Sequence, residues 1–188
     1  GTRGNAGTTL AWDVYLFGAR STASANVNLS GLTADNDFSS PDGLWFSRAT
    51  PGLAWLETDD GAYTDVTNCM LLAAVPGKVG DGAKQTITNV SGATSRTQDT
   101  IVGAKPGEKD TQLQRFLVGP KGCEITGIAE SGDGRAVFVN IQHPGEDTKD
   151  ADIGDPTKFQ SHWPDGGTSR PRSATVVITR NDGGLVGV

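Results

Sequence analysis

Apolar positions in this chain come in short runs cut by Gly, Asp, Asn and Pro, and no stretch sustains the spacing of an amphipathic helix. Residues 10–17, 42–46, 53–58 and 68–74 each read as a strand, closed by turn chemistry such as Asp59-Asp60-Gly61 or Pro76-Gly77. A Thr-, Ser- and Gly-rich excursion over 79–110 interrupts the series, and 112–118 is the fourth strand of the first unit. The pattern then restarts. Strands are expected over 124–129 and 136–141, joined at the Asp133-Gly134 turn. A long loop through Trp163 leads to 173–179, and the turn at Asn181-Asp182-Gly183-Gly184 leads to a last strand over 185–188.

Four antiparallel strands followed by four more is the layout of propeller blades. A β-sandwich built from similar strands is the plainer alternative. The propeller is favoured by a correspondence between the units. Pro41-Asp42-Gly43-Leu44-Trp45-Phe46 and Cys123-Glu124-Ile125-Thr126-Gly127-Ile128 each open their unit with a carboxylate ahead of apolar residues. First strands of blades line the central channel, so Asp42 and Glu124 are expected at one end of it. The expected fold class is therefore all-β, a partial β-propeller of about two four-stranded antiparallel blades plus one leading strand. Propellers close with about four to eight blades, so the 188 residues read as a fragment whose open strand edges invite self-association. Residues 1–7 read as a flexible lead-in cut from a longer polypeptide, which makes the missing signal peptide uninformative.

Composition narrows the function. Hydrophobic residues are 35% and glycines number 26, as suits turn-rich β structure. A formal net charge of -6 argues against nucleic acid as a partner, and no stretch is apolar enough to span a bilayer. Cys69 and Cys123 match no zinc spacing and read as two buried free thiols, with one disulfide open to them in an oxidising compartment.

The candidate chemistry lies in carboxylates at strand mouths and in the turns after them: Asp42, Asp59, Asp60, Glu124 and Glu146. Hard cations take several oxygen ligands, and iron accepts carboxylate and imidazole. Asp59-Asp60-Gly61 is equally good turn chemistry. Glu124 is the odder residue, a charge between Cys123 and an apolar run. His143 and Glu146 lie just beyond the second strand of the later unit, where His143 is a candidate ligand, proton donor or loop anchor. Lys121, Arg172 and Trp163 are candidate partners for an anion, with ordinary surface charge and loop anchoring as the alternatives. Walker, Gly-x-Ser-x-Gly and His-Glu-x-x-His motifs are absent.

Four stretches together resemble the PhoX family of secreted bacterial alkaline phosphatases: residues 38–46 (FSSPDGLWF), 119–127 (GPKGCEITG), 138–146 (FVNIQHPGE) and 171–178 (PRSATVVI). They match the order found near the carboxy terminus of that family. The resemblance implies a β-propeller phosphomonoesterase with an iron and calcium cluster at one end, exported to the periplasm by the twin-arginine route. It makes Glu124 a metal ligand, adds Asp42 with Asp59 or Asp60, and gives Lys121, Trp163 and Arg172 contacts to the phosphate of a phosphomonoester substrate. The family's iron-bridging cysteine and most other ligands lie upstream of this segment, so Cys123 does not take that role and the 188 residues alone are expected to be inactive. Two rivals remain: a non-catalytic, calcium-stabilised binding or scaffold propeller, and a sugar-lactone hydrolase sharing only the Pro-Asp-Gly segment.

Overall fold

Nine strands in three antiparallel sheets account for nearly all the regular structure in the computed structural model, which describes residues 7–187. The strands are β1 (Pro41–Phe46), β2 (Ala54–Thr58), β3 (Met70–Val75), β4 (Ala83–Ser91), β5 (Thr94–Val102), β6 (Gln112–Val118), β7 (Glu124–Glu130), β8 (Ala136–Gln142) and β9 (Ala174–Thr179). The first sheet runs β1-β2-β3-β6 and the second β7-β8-β9, while β4 and β5 form a separate hairpin. The only helical turns among the described residues are the 3-10 turns Asp150–Asp152 and Pro156–Lys158.

The two larger sheets face each other across one core. Leu53, Trp55, Cys69 and Leu71 from the first sheet side meet Cys123, Ile125, Val137, Val139 and Ile141 from the second. Strand alternation produces this face: Trp45 pairs with Trp55, and Trp55 with Ala73, so all three side chains point the same way. Trp55 is fully buried, meets Phe116 edge-on at 4.8 Å between ring centroids, and donates its Nε1–H to Glu130 Oε1 at 3.0 Å. That bond ties the first sheet to the second. Each fully buried Ile or Leu here contributes roughly 1.5–3 kcal/mol of burial.

The opposite face of the first sheet carries a second core of Ala54, Met70, Leu72, Ala74 and Leu113, covered by Leu32 and Phe38 with Tyr15 and Leu16 alongside. The covering segment is pinned by Asp37, which accepts hydrogen bonds from Arg115 at 2.9 Å, Ser21 N–H at 3.0 Å and the Tyr63 hydroxyl. Burial pushes the Asp37 carboxyl up, but those donors outweigh it and hold the group below the usual carboxylate range.

Three local expectations change. Residues 10–17 make no strand; apart from the single parallel bridge Val14–Val102, the segment lies across the face of the first sheet, with Leu10 and Trp12 exposed. Residues 183–187 do not pair as a strand either. Val186 inserts its side chain into the inter-sheet core and donates its N–H to Gly134, so the second sheet has three strands rather than four. Over the 79–110 excursion, 83–102 instead form the β4–β5 hairpin, closed around Gly92 and solvent-exposed on both faces. The lead-in residues 1–6 and Val188 lie outside the described residues.

Candidate metal centre

Strand direction gathers the candidate residues at one end of the sheets. β1 and β7 begin there, and β2 and β8 end there, because each pair is antiparallel. Asp42 and Glu124 therefore sit beside Glu57, Asp59 and His143. A β-bulge at the start of β1 leaves Asp42 without a partner: Pro41 pairs with Thr58 and Gly43 with Glu57. An inserted residue kinks the strand and re-aims its side chain, and here it sends Asp42 outward at the mouth. β7 is bulged as well, between Thr126 and Ile128. The extra residue, Gly127, adopts a left-handed φ of 51° and lets Ile125 and Ile128, three apart, reach the same core.

Glu57 is the residue the sequence reading missed. It shares the buried face of Trp55, two residues before it, and is 5% exposed. Its Oε1 is buried with no hydrogen-bond partner. Burial, then the charges of Asp42 and Glu124, push its carboxyl up to about 7. The close approach of the strands demands glycine opposite it: a Cβ on Gly43 would lie 2.0 Å from Glu57 Oε2. A signal was available in the alternation, since a carboxylate in phase with a core tryptophan is anomalous.

Glu124 is half-buried. Burial, then the Asp59 charge, raises its pKa against the opposing effect of His143. His143 Nε2 lies 3.4 Å from Glu124 Oε2, and its Nδ1 lies 3.1 Å from Glu146 Oε2 without hydrogen-bond alignment. The His143 backbone is left-handed at φ 37°, and its N–H donates to Ser173 Oγ at 2.9 Å. The other candidates are placed differently. Asp60 is buried and accepts from Ser39 Oγ at 2.6 Å, Ala62 N–H at 2.7 Å and Tyr63 N–H at 2.9 Å, so its side chain builds the turn. Asp59 is exposed beside it. Lys121 is exposed, and its carbonyl accepts from Gly145 N–H at 2.8 Å, which holds the His143 loop against the mouth of β7. Arg172 makes a bidentate pair with Asp165 at 3.1 Å on both oxygens. Trp163 packs against the inter-sheet core.

The arrangement is an acidic mouth bordered by one imidazole. Among the described residues, no three His, Cys, Asp or Glu side chains close around a metal ion. Burial pushes the Cys123 thiol up to about 12, and Cys69 is also raised by burial. Both cysteines are free and buried.

Comparison with known proteins places this geometry in context. The sequence matches the family described as "Alkaline phosphatase PhoX" over residues 1–145. Nothing matches among curated proteins. Among solved structures, the chain is similar to Pseudomonas fluorescens PhoX in complex with vanadate, a transition-state analogue, at 31% identity and a TM-score of 0.60. The similarity covers 92% of this chain and 23% of that one.

Proposed function

The chain belongs to the alkaline phosphatase PhoX family, and on that premise we propose that it is part of the propeller of a metal-dependent phosphomonoesterase, with Glu57, Glu124 and Asp42 holding cations at the mouth of β1 and β7. One atom carries the reading. Glu57 Oε1 is a buried acceptor with no partner, beside two more carboxylates. Leaving such a group unsatisfied costs roughly 1–3 kcal/mol or more. A bound cation removes that cost and the mutual repulsion together. Calcium suits an all-oxygen shell, and iron accepts carboxylates with an imidazole near by. The residues present fit one side of such a site; the chain spans about a quarter of its solved relative, and the remaining ligands belong to other segments.

Bound iron and calcium would supply Lewis-acid stabilisation of charge on a phosphoryl group. The chain's own residues prepare that place. Gly43 gives the Glu57 carboxylate room, the β1 bulge aims Asp42, and Ser173 fixes the His143 backbone between Glu124 and Glu146. Lys121 adds a positive charge at the same end for the substrate phosphate, with Trp163 and Arg172 bordering the loop. Arg172 reaches an anion only by leaving Asp165. Export to the periplasm by the twin-arginine route belongs to the same proposal, as does inactivity of the 188 residues alone.

The test is Glu57→Gln and Glu124→Ala in the intact phosphatase. Each is expected to lower bound metal and activity by about 10–100-fold, and unchanged iron content with unchanged activity overturns the ligand roles. Strong phosphatase activity from the 188-residue chain, abolished by chelation, overturns its inactivity. A second reading, a non-catalytic propeller with structural calcium only, is favoured by the carboxylate oxygens of Glu57, Asp42 and Glu124, the donor type that calcium prefers. Calcium without iron in the intact protein, together with no phosphatase activity, selects it.

A further inference from the structure

The 10–17 segment and the β4–β5 hairpin part company just beyond the point where they meet. Val14 N–H donates to the Ile101 carbonyl at 3.0 Å, and Gly103 N–H donates to the Val14 carbonyl at 2.8 Å. A continued parallel ladder would run on through Trp12, yet among the described residues the pairing is the single Val14–Val102 bridge. The divergence leaves a cleft of about 290 Å³, with Trp12 and Asp13 on one side, 98–101 of β5 on the other, and Lys84 of β4 also lining it. Trp12 is 67% exposed, so a side chain that folding usually buries stands in solvent at the rim. The cleft is remote from the acidic mouth. β3 ends and β6 begins at the opposite end of the first sheet, where Val75 pairs with Gln112, and the hairpin grows from that end.

The polar groups around the cleft select its ligand. Asp99 is occupied, by Lys84 Nζ at 2.5 Å and the Thr86 hydroxyl at 2.8 Å. Asp13 Oδ2 accepts from Gly80 N–H at 2.6 Å, which leaves Oδ1 open, and among the described residues the Gln98 amide and Thr100 hydroxyl have no partner. An anion would meet two carboxylates against one ammonium. An organic cation stacks well on an indole, but the Lys84 ammonium lines the same cleft. A flat hydrocarbon would leave the amide and the hydroxyl unsatisfied. A neutral pyranose meets every condition: its C–H face packs on an indole, and each of its hydroxyls both donates and accepts, as this mixture of groups requires. We propose that the cleft between the 10–13 segment and β5 binds a neutral sugar unit of a polysaccharide, with Trp12 as the stacking platform. The volume is small beside the range of about 300–1,000 Å³ for ligand sites, so the cleft grips a short stretch of a longer chain. Its place at the far end of the first sheet separates it from any sugar carried by a phosphoester at the mouth. A polymer held here tethers the protein and leaves the mouth open.

Isothermal titration of the intact, metal-loaded protein with cellohexaose, xylohexaose, chitohexaose and their monomers tests this. At least one hexasaccharide is expected to bind with a Kd below about 1 mM, and more tightly than its monomer. Trp12→Ala is expected to weaken that binding by about tenfold or more, and Gln98→Ala by a smaller factor. Urea midpoint, metal content and phosphatase activity should stay at the parent values in both variants, because the cleft is remote from the mouth and Trp12 is exposed. Hydroxyl-radical labelling is expected to mark Trp12 in the sugar-free protein and to spare it when the hexasaccharide is bound. The proposal is overturned if no hexasaccharide binds at about 10 mM, or if Trp12→Ala binds as well as the parent. A monomer that binds as tightly as its hexasaccharide overturns the tether. Binding of choline, lost in Trp12→Ala and with no sugar bound, assigns an organic cation instead. Protection of Trp12 in the sugar-free protein overturns it too, since another segment then covers the cleft.

Discussion

Glu57 combines burial, an unpartnered oxygen and two nearby carboxylates in one carboxyl group. Its pKa in the folded chain, about 7, stands above its ordinary value of 4.5. A raised carboxyl binds its proton more tightly when folded, so its contribution to stability is complete below pH 4.5 and is lost as pH rises through 7. In the presence of a chelator, the protein is therefore expected to lose a few kcal/mol, on the order of 3, between pH 4.5 and 8. Urea denaturation across that range checks the slope, and Glu57→Gln should flatten it. Asp37 has the opposite sign. Its lowered pKa means stability that is present above the usual carboxylate range and is lost on acidification. Asp37→Asn is expected to cost about 1–3 kcal/mol at neutral pH, because Arg115 loses its buried counter-charge. An equal urea midpoint for Asp37→Asn and the parent would refute this account of how the 15–38 segment is held.

Between strands, the bulges matter more than the intrinsic preferences of their residues. Gly127 at φ 51° shifts the register of β7 so that the core face continues past it. A Cβ there would sit 2.6 Å from Asn140 Nδ2 in an unfavourable backbone region. Gly127→Ala should therefore destabilise by about 1–3 kcal/mol, read as a lower urea midpoint with an unchanged slope. The β4–β5 hairpin is the contrasting element. Its strands pair with each other along their whole length, while its contact with the rest of the described chain centres on Val102 and Val14. Replacing 86–99 by a short Gly-rich turn is expected to change stability by less than about 1 kcal/mol, a result that thermal and urea unfolding both report. A large loss there would mean that the arm has a packing partner.

Across the whole molecule, the inter-sheet core makes the sheets one cooperative unit. Ile125 is fully buried between them, and Trp55 bonds across to Glu130. Ile125→Ala is expected to cost about 2–5 kcal/mol, with both sheets lost in one transition. Separate transitions, seen by following tryptophan fluorescence and far-ultraviolet circular dichroism together, would show that the sheets fold independently. The acidic mouth depends on this same packing. Glu57 and Asp42 come from the first sheet and Glu124 from the second, so the mouth exists only while the sheets are docked.

Alternation and turn residues were enough to read the all-β class, the four strands of the first sheet, and the carboxylates Asp42 and Glu124 at matching strand mouths. These signals are local: a strand shows its period over a few residues, and Gly, Asp and Pro mark its ends. Polar periodicity with no buried face hid the β4–β5 hairpin inside a Thr-rich stretch. Residues 10–17 and 185–187 looked like strands because they are apolar, yet tertiary packing uses them as cover and plug, a choice between sheet edge and sheet face that no single segment encodes. Glu57 was decided by packing in the same way. Its burial, its unpartnered oxygen and its two carboxylate neighbours come from docking residues far apart in the chain. A carboxylate's environment is the sum of the surfaces brought around it, and only the folded structure performs that sum.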